Sequence, residues 1–63
     1  MSGRDAKIVK IIRHKWKNSE QDYFFFVLLE DGIYSWQPLD YLKRHEPQMT
    51  NKYIKDHRGE FQI

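Results

Sequence analysis

The segment from Tyr23 to Leu29 carries seven apolar residues in succession, YFFFVLL, and this run is the strongest pattern in the chain. Successive side chains of a β-strand point to opposite faces, so a strand with one solvated face alternates apolar and polar residues. An unbroken run therefore predicts a strand with apolar side chains on both faces. Tyr23, Phe25, Val27 and Leu29 form one set, which we expect to face the core.

The second set on this strand consists of Phe24, Phe26 and Leu28, and it ends at Glu30. Two explanations for it stay open. A small sheet can curl until its central strand is buried on both faces. Alternatively, the set forms an apolar surface kept for a partner, because contiguous exposed apolar patches mark interaction sites. The two explanations can hold together in part.

The preceding stretch, AKIVKIIRHKW over residues 6–16, gives two conflicting indications. Its apolar residues at positions 8, 9, 11, 12 and 16 fit one face of a helix better than strict alternation. Most of them are Ile or Val, whose branched side chains favour strands. We interpret the stretch as a strand, followed by a polar loop over residues 17–22.

Glu30, Asp31 and Gly32 predict a tight hairpin turn, because glycine adopts the positive φ that such turns require. IYSWQ, residues 33–37, predicts a third strand, ended by Pro38, which has no N–H to donate. Residues 38–45, PLDYLKRH, predict a turn-rich connector with room for one helical turn.

The C-terminal part predicts a helix over residues 47–58, opened by Pro47 and ended by Gly59. Together these elements predict an α+β fold: a small, curved, three-stranded antiparallel sheet with one C-terminal helix packed across it. We expect a flexible N-terminus over residues 1–5, the domain over residues 6–58 and a C-terminal tail over residues 59–63.

Composition restricts the function classes. With 63 residues the chain is a single domain near the lower limit for a self-supporting core. The chain has no cysteine, which excludes disulfides and cysteine-based zinc sites. No apolar run approaches the ~20 residues needed to cross a membrane, and the N-terminus lacks a signal-peptide pattern. We therefore expect a cytosolic or nuclear protein with no membrane partner.

The net charge is only +2, but the basic residues are concentrated in the first third of the chain. A basic strand interleaved with Trp16, beside aromatic rings on a small sheet, is able to contact phosphates and stack on bases. The alternative is a solvated basic edge that protects an edge strand from aggregation. The candidate nucleic-acid-binding residues are Lys7, Lys10, Arg13, Lys15 and Lys17.

Catalytic chemistry has no motif in this sequence. His14, His45 and His57 are far apart and show no spacing typical of a metal or catalytic site. A phosphate-binding glycine loop and a nucleophile motif are also missing. We expect neither an enzyme nor a metal site nor a cofactor.

Four segments, in this order, resemble the chromo and chromo shadow domains of heterochromatin-protein relatives. KIVKII is similar to the first strand of that family, YFFFVLLEDG to its second strand and turn, SWQPLDYL to its third strand and EPQMTNKYIKDH to the start of its helix. The resemblance runs from about Lys7 to His57. The short spacing around GIYSWQP resembles the shadow subtype more closely than the chromodomain subtype.

The resemblance also implies what this chain lacks. Chromodomains hold methyl-lysine in a cage of three aromatic rings, because ring faces attract a quaternary ammonium. The corresponding positions fall near Ala6 or Lys7, at Glu30 and at Ile33, and none is aromatic. We therefore expect no methyl-lysine recognition by the usual cage. Trp36 corresponds to the structural tryptophan of the family, and we expect it in the core.

Shadow domains pair through the C-terminal helix, and the dimer captures peptides beside its tail. The positions that resemble the pairing residues are Asn51, Ile54 and Arg58, of which only Ile54 is apolar. The resemblance thus implies a weakened or altered dimer. In the tail, Phe61 and Ile63 either clamp a peptide or fold onto the sheet.

The function implied by the resemblance is that of a nuclear, non-catalytic interaction module in heterochromatin assembly or gene silencing. Such a module would bind a partner protein or peptide and could self-associate. The candidate partner-binding residues are Phe24, Phe26, Ile54, Phe61 and Trp16. The alternative is a small basic nucleic-acid-binding domain of the integrase-tail or SH3-like barrel type.

Overall fold

The computed structural model describes residues 7–61 of the chain. The elements are β1 (Ile8–Lys17), β2 (Asp22–Leu29), β3 (Tyr34–Pro38), α1 (Leu39–His45), α2 (Pro47–Asp56) and a 3-10 helix (Arg58–Glu60). The strands form one antiparallel sheet in the order β1-β2-β3, and both helices pack across the same face of it. The α+β fold predicted from the sequence is confirmed.

β1 pairs with β2 in a register that shifts twice. Ile8, Ile11 and His14 lie opposite core-facing residues of β2, although they are three residues apart rather than two. Each shift leaves one additional residue on β1, first Val9 and then Ile12, as in a β-bulge. Both additional residues are exposed. The helix-like spacing of apolar residues in this stretch therefore comes from two bulges in a strand.

The turn between β2 and β3 has the geometry that the sequence predicted. Gly32 has a φ of 88°, in the region that favours glycine. Its N–H donates to the carbonyl of Leu29 at 2.9 Å. The Asp31 carboxylate accepts the N–H of Ile33 at 3.1 Å and holds the chain as it enters β3.

Two helices follow the sheet where the sequence predicted one helix and a connector. α1 has two turns rather than one, because fully buried Leu42 anchors it to the sheet. α2 begins at Pro47 as predicted and ends at Asp56, and the chain then turns into the 3-10 helix. Thr50 is fully buried on α2, and its hydroxyl donates to the carbonyl of Glu46 at 2.7 Å. No helix within residues 7–61 is long and apolar enough to span a membrane.

The core lies between the sheet and the helices. Its buried apolar residues are Ile8, Phe25, Val27, Leu42 and Phe61. Tyr23 and Leu29 pack against this cluster. The prediction that Tyr23, Phe25, Val27 and Leu29 form the core face of β2 is confirmed.

Phe61 shows that the end of the described chain belongs to the packed domain. Its side chain is buried, and its ring stacks on His14 with centroids 4.4 Å apart. The sequence left two alternatives for Phe61, a peptide clamp or packing onto the sheet. The structure shows Phe61 packed onto the sheet. Ile63 lies outside the described residues, as does Ala6.

Trp36 does not lie in the core, and that prediction was wrong. The hairpin register places Trp36 opposite Phe26, whereas Ser35 lies opposite Val27 and Gln37 opposite Phe25. Alternation along β3 therefore gives the inner positions to Ser35 and Gln37. The Trp36 ring lies on the other side of the sheet, partly exposed and 5.0 Å from the Phe26 ring.

Candidate functional site

The face of the sheet turned away from the helices, the outer face, carries one column of side chains from each strand. β1 contributes cations, β2 contributes apolar side chains, and β3 contributes two aromatic rings and a proline. The members are Lys10, Arg13, Lys15 and Lys17 on β1, Phe24, Phe26 and Leu28 on β2, and Tyr34, Trp36 and Pro38 on β3.

Cross-strand pairing arranges these side chains in three rows, each with a cation followed by two apolar residues. The rows are Lys10–Leu28–Tyr34, Arg13–Phe26–Trp36 and Lys15–Phe24–Pro38. Neighbouring rows are two residues apart on β2, or about 6.6 Å. Beyond the third row, Lys17 lies opposite Asp22, the acidic residue of β2.

The bulge at Ile12 brings the cations onto one face. Lys10 and Arg13 are three residues apart, and a regular strand would point them in opposite directions. The register shift between Ile11 and Arg13 cancels this difference, so Arg13 and the two lysines that follow share the face of Lys10. These cations were predicted from the sequence, but the bulge that brings them onto one face was not.

The cationic groups lie over the aromatic rings of the neighbouring strands. The Lys15 Nζ is 4.4 Å from the centroid of the Trp36 ring. The guanidinium carbon of Arg13 is 5.2 Å from the Phe26 centroid, and the Lys17 Nζ is 5.1 Å from the Phe24 centroid. Each such contact contributes about 0.5–1 kcal/mol at an exposed site. Arg13, Lys15 and Lys17 are exposed, so their charges remain hydrated while they contact the rings.

The aromatic rings of the outer face form a connected surface. The Phe26 ring stacks on Tyr34, with centroids 5.4 Å apart and planes 18° apart, and contacts Trp36 on β3. Tyr34 is 53% exposed, and Phe24 and Phe26 are partly exposed. In residues 7–61 both helices pack on the inner face, so these rings meet solvent, and the cationic groups of Arg13 and Lys17 lie over Phe26 and Phe24. The outer face of β2 is thus neither buried under a second layer nor fully exposed to solvent.

Tyr34, Trp36 and Pro38 were not among the predicted site residues. Their two-residue spacing and the hairpin turn at Gly32 were available as a signal. Lys7, which was predicted, precedes β1, and its carbonyl accepts the N–H of Glu30 at 2.9 Å.

The five predicted partner-binding residues do not form one surface. Phe24 and Phe26 lie on the outer face. Ile54 packs against the core on the helix side, and Phe61 is buried there. Trp16 is 49% exposed and contacts Tyr23 edge-on, with centroids 5.0 Å apart.

The residues predicted to pair two copies of the chain also differ in their exposure to solvent. Asn51 is exposed on α2, and Arg58 is exposed in the 3-10 helix. Ile54 is partly buried against the core. These three residues therefore offer no continuous apolar surface for a second copy.

His14 joins the sheet to the C-terminal segment. Its Nδ1 is 2.7 Å from the Tyr53 hydroxyl, and its Nε2 is 3.5 Å from a Glu60 carboxylate oxygen. Burial raises the pKa of the Tyr53 phenol, and the Glu60 carboxylate raises it further. A protonated Tyr53 can donate to Nδ1, which leaves Nε2–H directed at Glu60. The contacts fasten α2 and the 3-10 helix to β1.

A groove of 440 Å³ lies beside this contact and is lined by His14, Lys15, Trp16, Tyr23 and Glu60. Across residues 7–61, histidine and acidic side chains do not form any cluster of three or more that could hold a metal ion.

Comparison with protein-family models, with curated proteins and with solved structures finds no match for this chain. The resemblance to chromo shadow domains therefore rests on the sequence segments and on the order of the elements.

Proposed function

We propose that this chain is a non-catalytic binding module that holds nucleic acid on the outer face of its sheet. One observation carries the proposal: a column of four cations lies directly beside partly exposed aromatic rings on a face that no described helix covers. Proteins that hold nucleic acid without a deep pocket combine these two features, since cations contact phosphates and rings stack on bases.

The local charge supports the proposal better than the net charge of +2. Asp22 is the one acidic residue paired in these columns, and it lies at the end, opposite Lys17. Glu30 and Asp31 lie beyond the other end, in the hairpin turn. The middle of the face therefore carries positive charge alone, which favours a polyanion there.

A purely structural role explains the outer face less well. A solvated sheet face normally carries polar residues, and an apolar surface there costs solubility. A basic edge strand protects against aggregation. That role accounts for the cations on β1, but it does not account for the rings on β2 and β3.

A second candidate is recognition of a protein or peptide in chromatin, and the edge of β1 favours it. β1 is an edge strand of the described sheet, and Val9 at its first bulge is 50% exposed. A groove of 210 Å³ lies between this edge and α2, lined in part by Ile11 and Met49. A peptide can pair with such an edge and place side chains in the groove. Nuclear localisation, heterochromatin silencing and self-association rest on the resemblance alone.

Fluorescence anisotropy with labelled oligonucleotides at several salt concentrations tests the proposed function. About three phosphate contacts predict a slope of about −2 for the logarithm of affinity against the logarithm of salt concentration, if the strand is single. Arg13→Gln should weaken binding and flatten the slope. Arg44→Gln is the matched control, because Arg44 is an exposed α1 residue paired with Asp40. Equal loss in the two variants, or no binding at low salt, contradicts the proposal.

A further inference from the structure

We infer that the outer face binds a single strand rather than a duplex, with about three nucleotides per domain. The strand would run along β1, with phosphates over the cations and bases over the rings of β2 and β3. This inference rests on the proposed function and names the ligand of that same surface.

The column order separates the two kinds of contact that a single strand needs. On the outer face, the cations lie on β1 and the rings lie on β2 and β3. The rings are therefore one to two strand spacings from the cations, and each spacing is about 4.8 Å. A single strand presents phosphates along one side and unstacked bases along the other. Charge and ring columns side by side match that arrangement.

A duplex does not match this surface. The faces of its bases are covered by their neighbours in the stack, so rings on an open sheet would meet sugars and phosphates. Phe24, Phe26 and Trp36 would then gain no stacking, and only the cations would bind. A ligand whose base faces are free uses both columns.

The length of the face sets the number of nucleotides. Phe24 and Leu28 are four residues apart on β2, which spans about 13 Å. The three rows along this span each offer one cation and at least one apolar side chain. Asp22 closes one end, and the Glu30 and Asp31 carboxylates lie beyond the other. One nucleotide per row gives about three.

Binding requires the cations to leave the ring faces. The Lys15 Nζ lies over the Trp36 ring at 4.4 Å, where a stacked base would lie. The flexible lysine stem allows the ammonium to swing to a phosphate while the base takes its place. Trp36 should therefore change its environment when a single strand binds, and its fluorescence should report the change.

The test uses the whole chain with fluorescein-labelled oligo-dT of about two to about ten nucleotides and a mixed-sequence duplex long enough to stay paired at the assay temperature. We expect the single strand to bind at least about tenfold more tightly than the duplex, with affinity per site rising little beyond about four nucleotides. In a Trp16→Phe variant, Trp36 is the remaining tryptophan, and its emission should be quenched by oligo-dT.

Trp36→Leu keeps an apolar side chain but removes the stacking ring, and it should weaken oligo-dT binding by about tenfold while leaving duplex binding unchanged. Trp16→Leu is the matched control on the other side of the sheet and should bind normally. Thermal melting of each variant verifies that it is folded.

The outcomes separate the two proposals. Equal affinity for duplex and single strand, still dependent on Arg13, overturns the single-strand inference and leaves the proposed function standing. An unchanged Trp36→Leu overturns the inference in the same way. Absence of binding to either oligonucleotide overturns both, and binding of peptides alone would assign the face to a protein partner.

Discussion

The inner and outer faces of the sheet share β2 but use its phenylalanines differently. Phe25 is fully buried on the inner face, under the helices, whereas Phe24 and Phe26 on the outer face stay partly exposed. The residue type is the same, and the positions differ by one. The helix layer buries the Phe25 ring, whereas the cations beside Phe24 and Phe26 leave these rings partly open to solvent.

The most damaging test of the two-face arrangement is insertion of one alanine between His14 and Lys15, after the second bulge. With it, either Lys15 or Arg13 turns toward the core, because a one-residue slip exchanges the faces of a strand. Burying an unpaired cation costs several kcal/mol, so the domain should not fold. Circular dichroism and thermal melting measure the result.

Ile12→Thr is the control for this insertion, because it keeps the register and a branched side chain at a position that is 39% exposed. We expect a change in stability of less than about 1 kcal/mol. An insertion variant that melts like the native chain would show that the register of β1 does not set the faces.

The next test compares Phe25→Ala with Phe24→Ala. Removing the fully buried Phe25 ring should cost ~3–5 kcal/mol, which is most or all of the stability of so small a domain. Removing the partly exposed Phe24 ring should cost about 1 kcal/mol and should mainly weaken ligand binding. Melting curves and oligonucleotide anisotropy distinguish the two effects. Unfolding of both variants would show that the outer face is core, and a stable Phe25→Ala would mean that the faces are reversed.

A smaller effect is expected from Tyr53→Phe, which removes the hydroxyl that contacts His14 on the inner side. Loss of this hydrogen bond should cost about 1 kcal/mol near neutral pH, measured by chemical denaturation. Oligonucleotide binding should not change, because Tyr53 lies on the helix side. Loss of binding in this variant would contradict the separation of the faces.

The Tyr53→Phe variant should also differ from the native chain in how its stability depends on pH. Burial and Glu60 raise the pKa of Tyr53, so the folded state holds the phenolic proton more tightly than the unfolded chain does. The resulting stability is fully present below the unfolded pKa of about 10 and is lost as pH rises through the folded pKa. The native chain should therefore lose more stability than Tyr53→Phe above about pH 10. Equal alkaline slopes would contradict the assignment.

The smallest change in stability is expected from Lys15→Gln on the outer face. It removes the contact of the ammonium with the Trp36 ring, worth about 0.5–1 kcal/mol, and leaves the core untouched. The free energy of nucleic-acid binding should fall by more than the free energy of unfolding does, because the charge lies on the proposed binding face. Urea titration and anisotropy on the same protein sample give both values.

The strand from Tyr23 to Leu29, its core face and the turn at Gly32 were predictable because each depends on local pattern and local backbone geometry. The second turn of α1 was not, because so short a helix has little periodicity and is held by burial of Leu42. For the candidate site, the sequence supplied the cations of β1 and the rings Phe24 and Phe26. It did not show that they lie side by side.

By itself, then, the sequence determined the number of strands, the turn at Gly32 and the apolar nature of both faces of β2. These follow from alternation and from the φ that glycine permits, which act over a few residues. Only the tertiary structure decided that Trp36 lies outside the core, that Phe61 lies inside it and that the cations of β1 share one face. Strand pairing sets the face of Trp36 and of the cations, because the β2–β3 register places Trp36 opposite Phe26 and each bulge shifts the later side chains of β1 relative to β2. Packing against His14 and Phe25 places Phe61 inside the core.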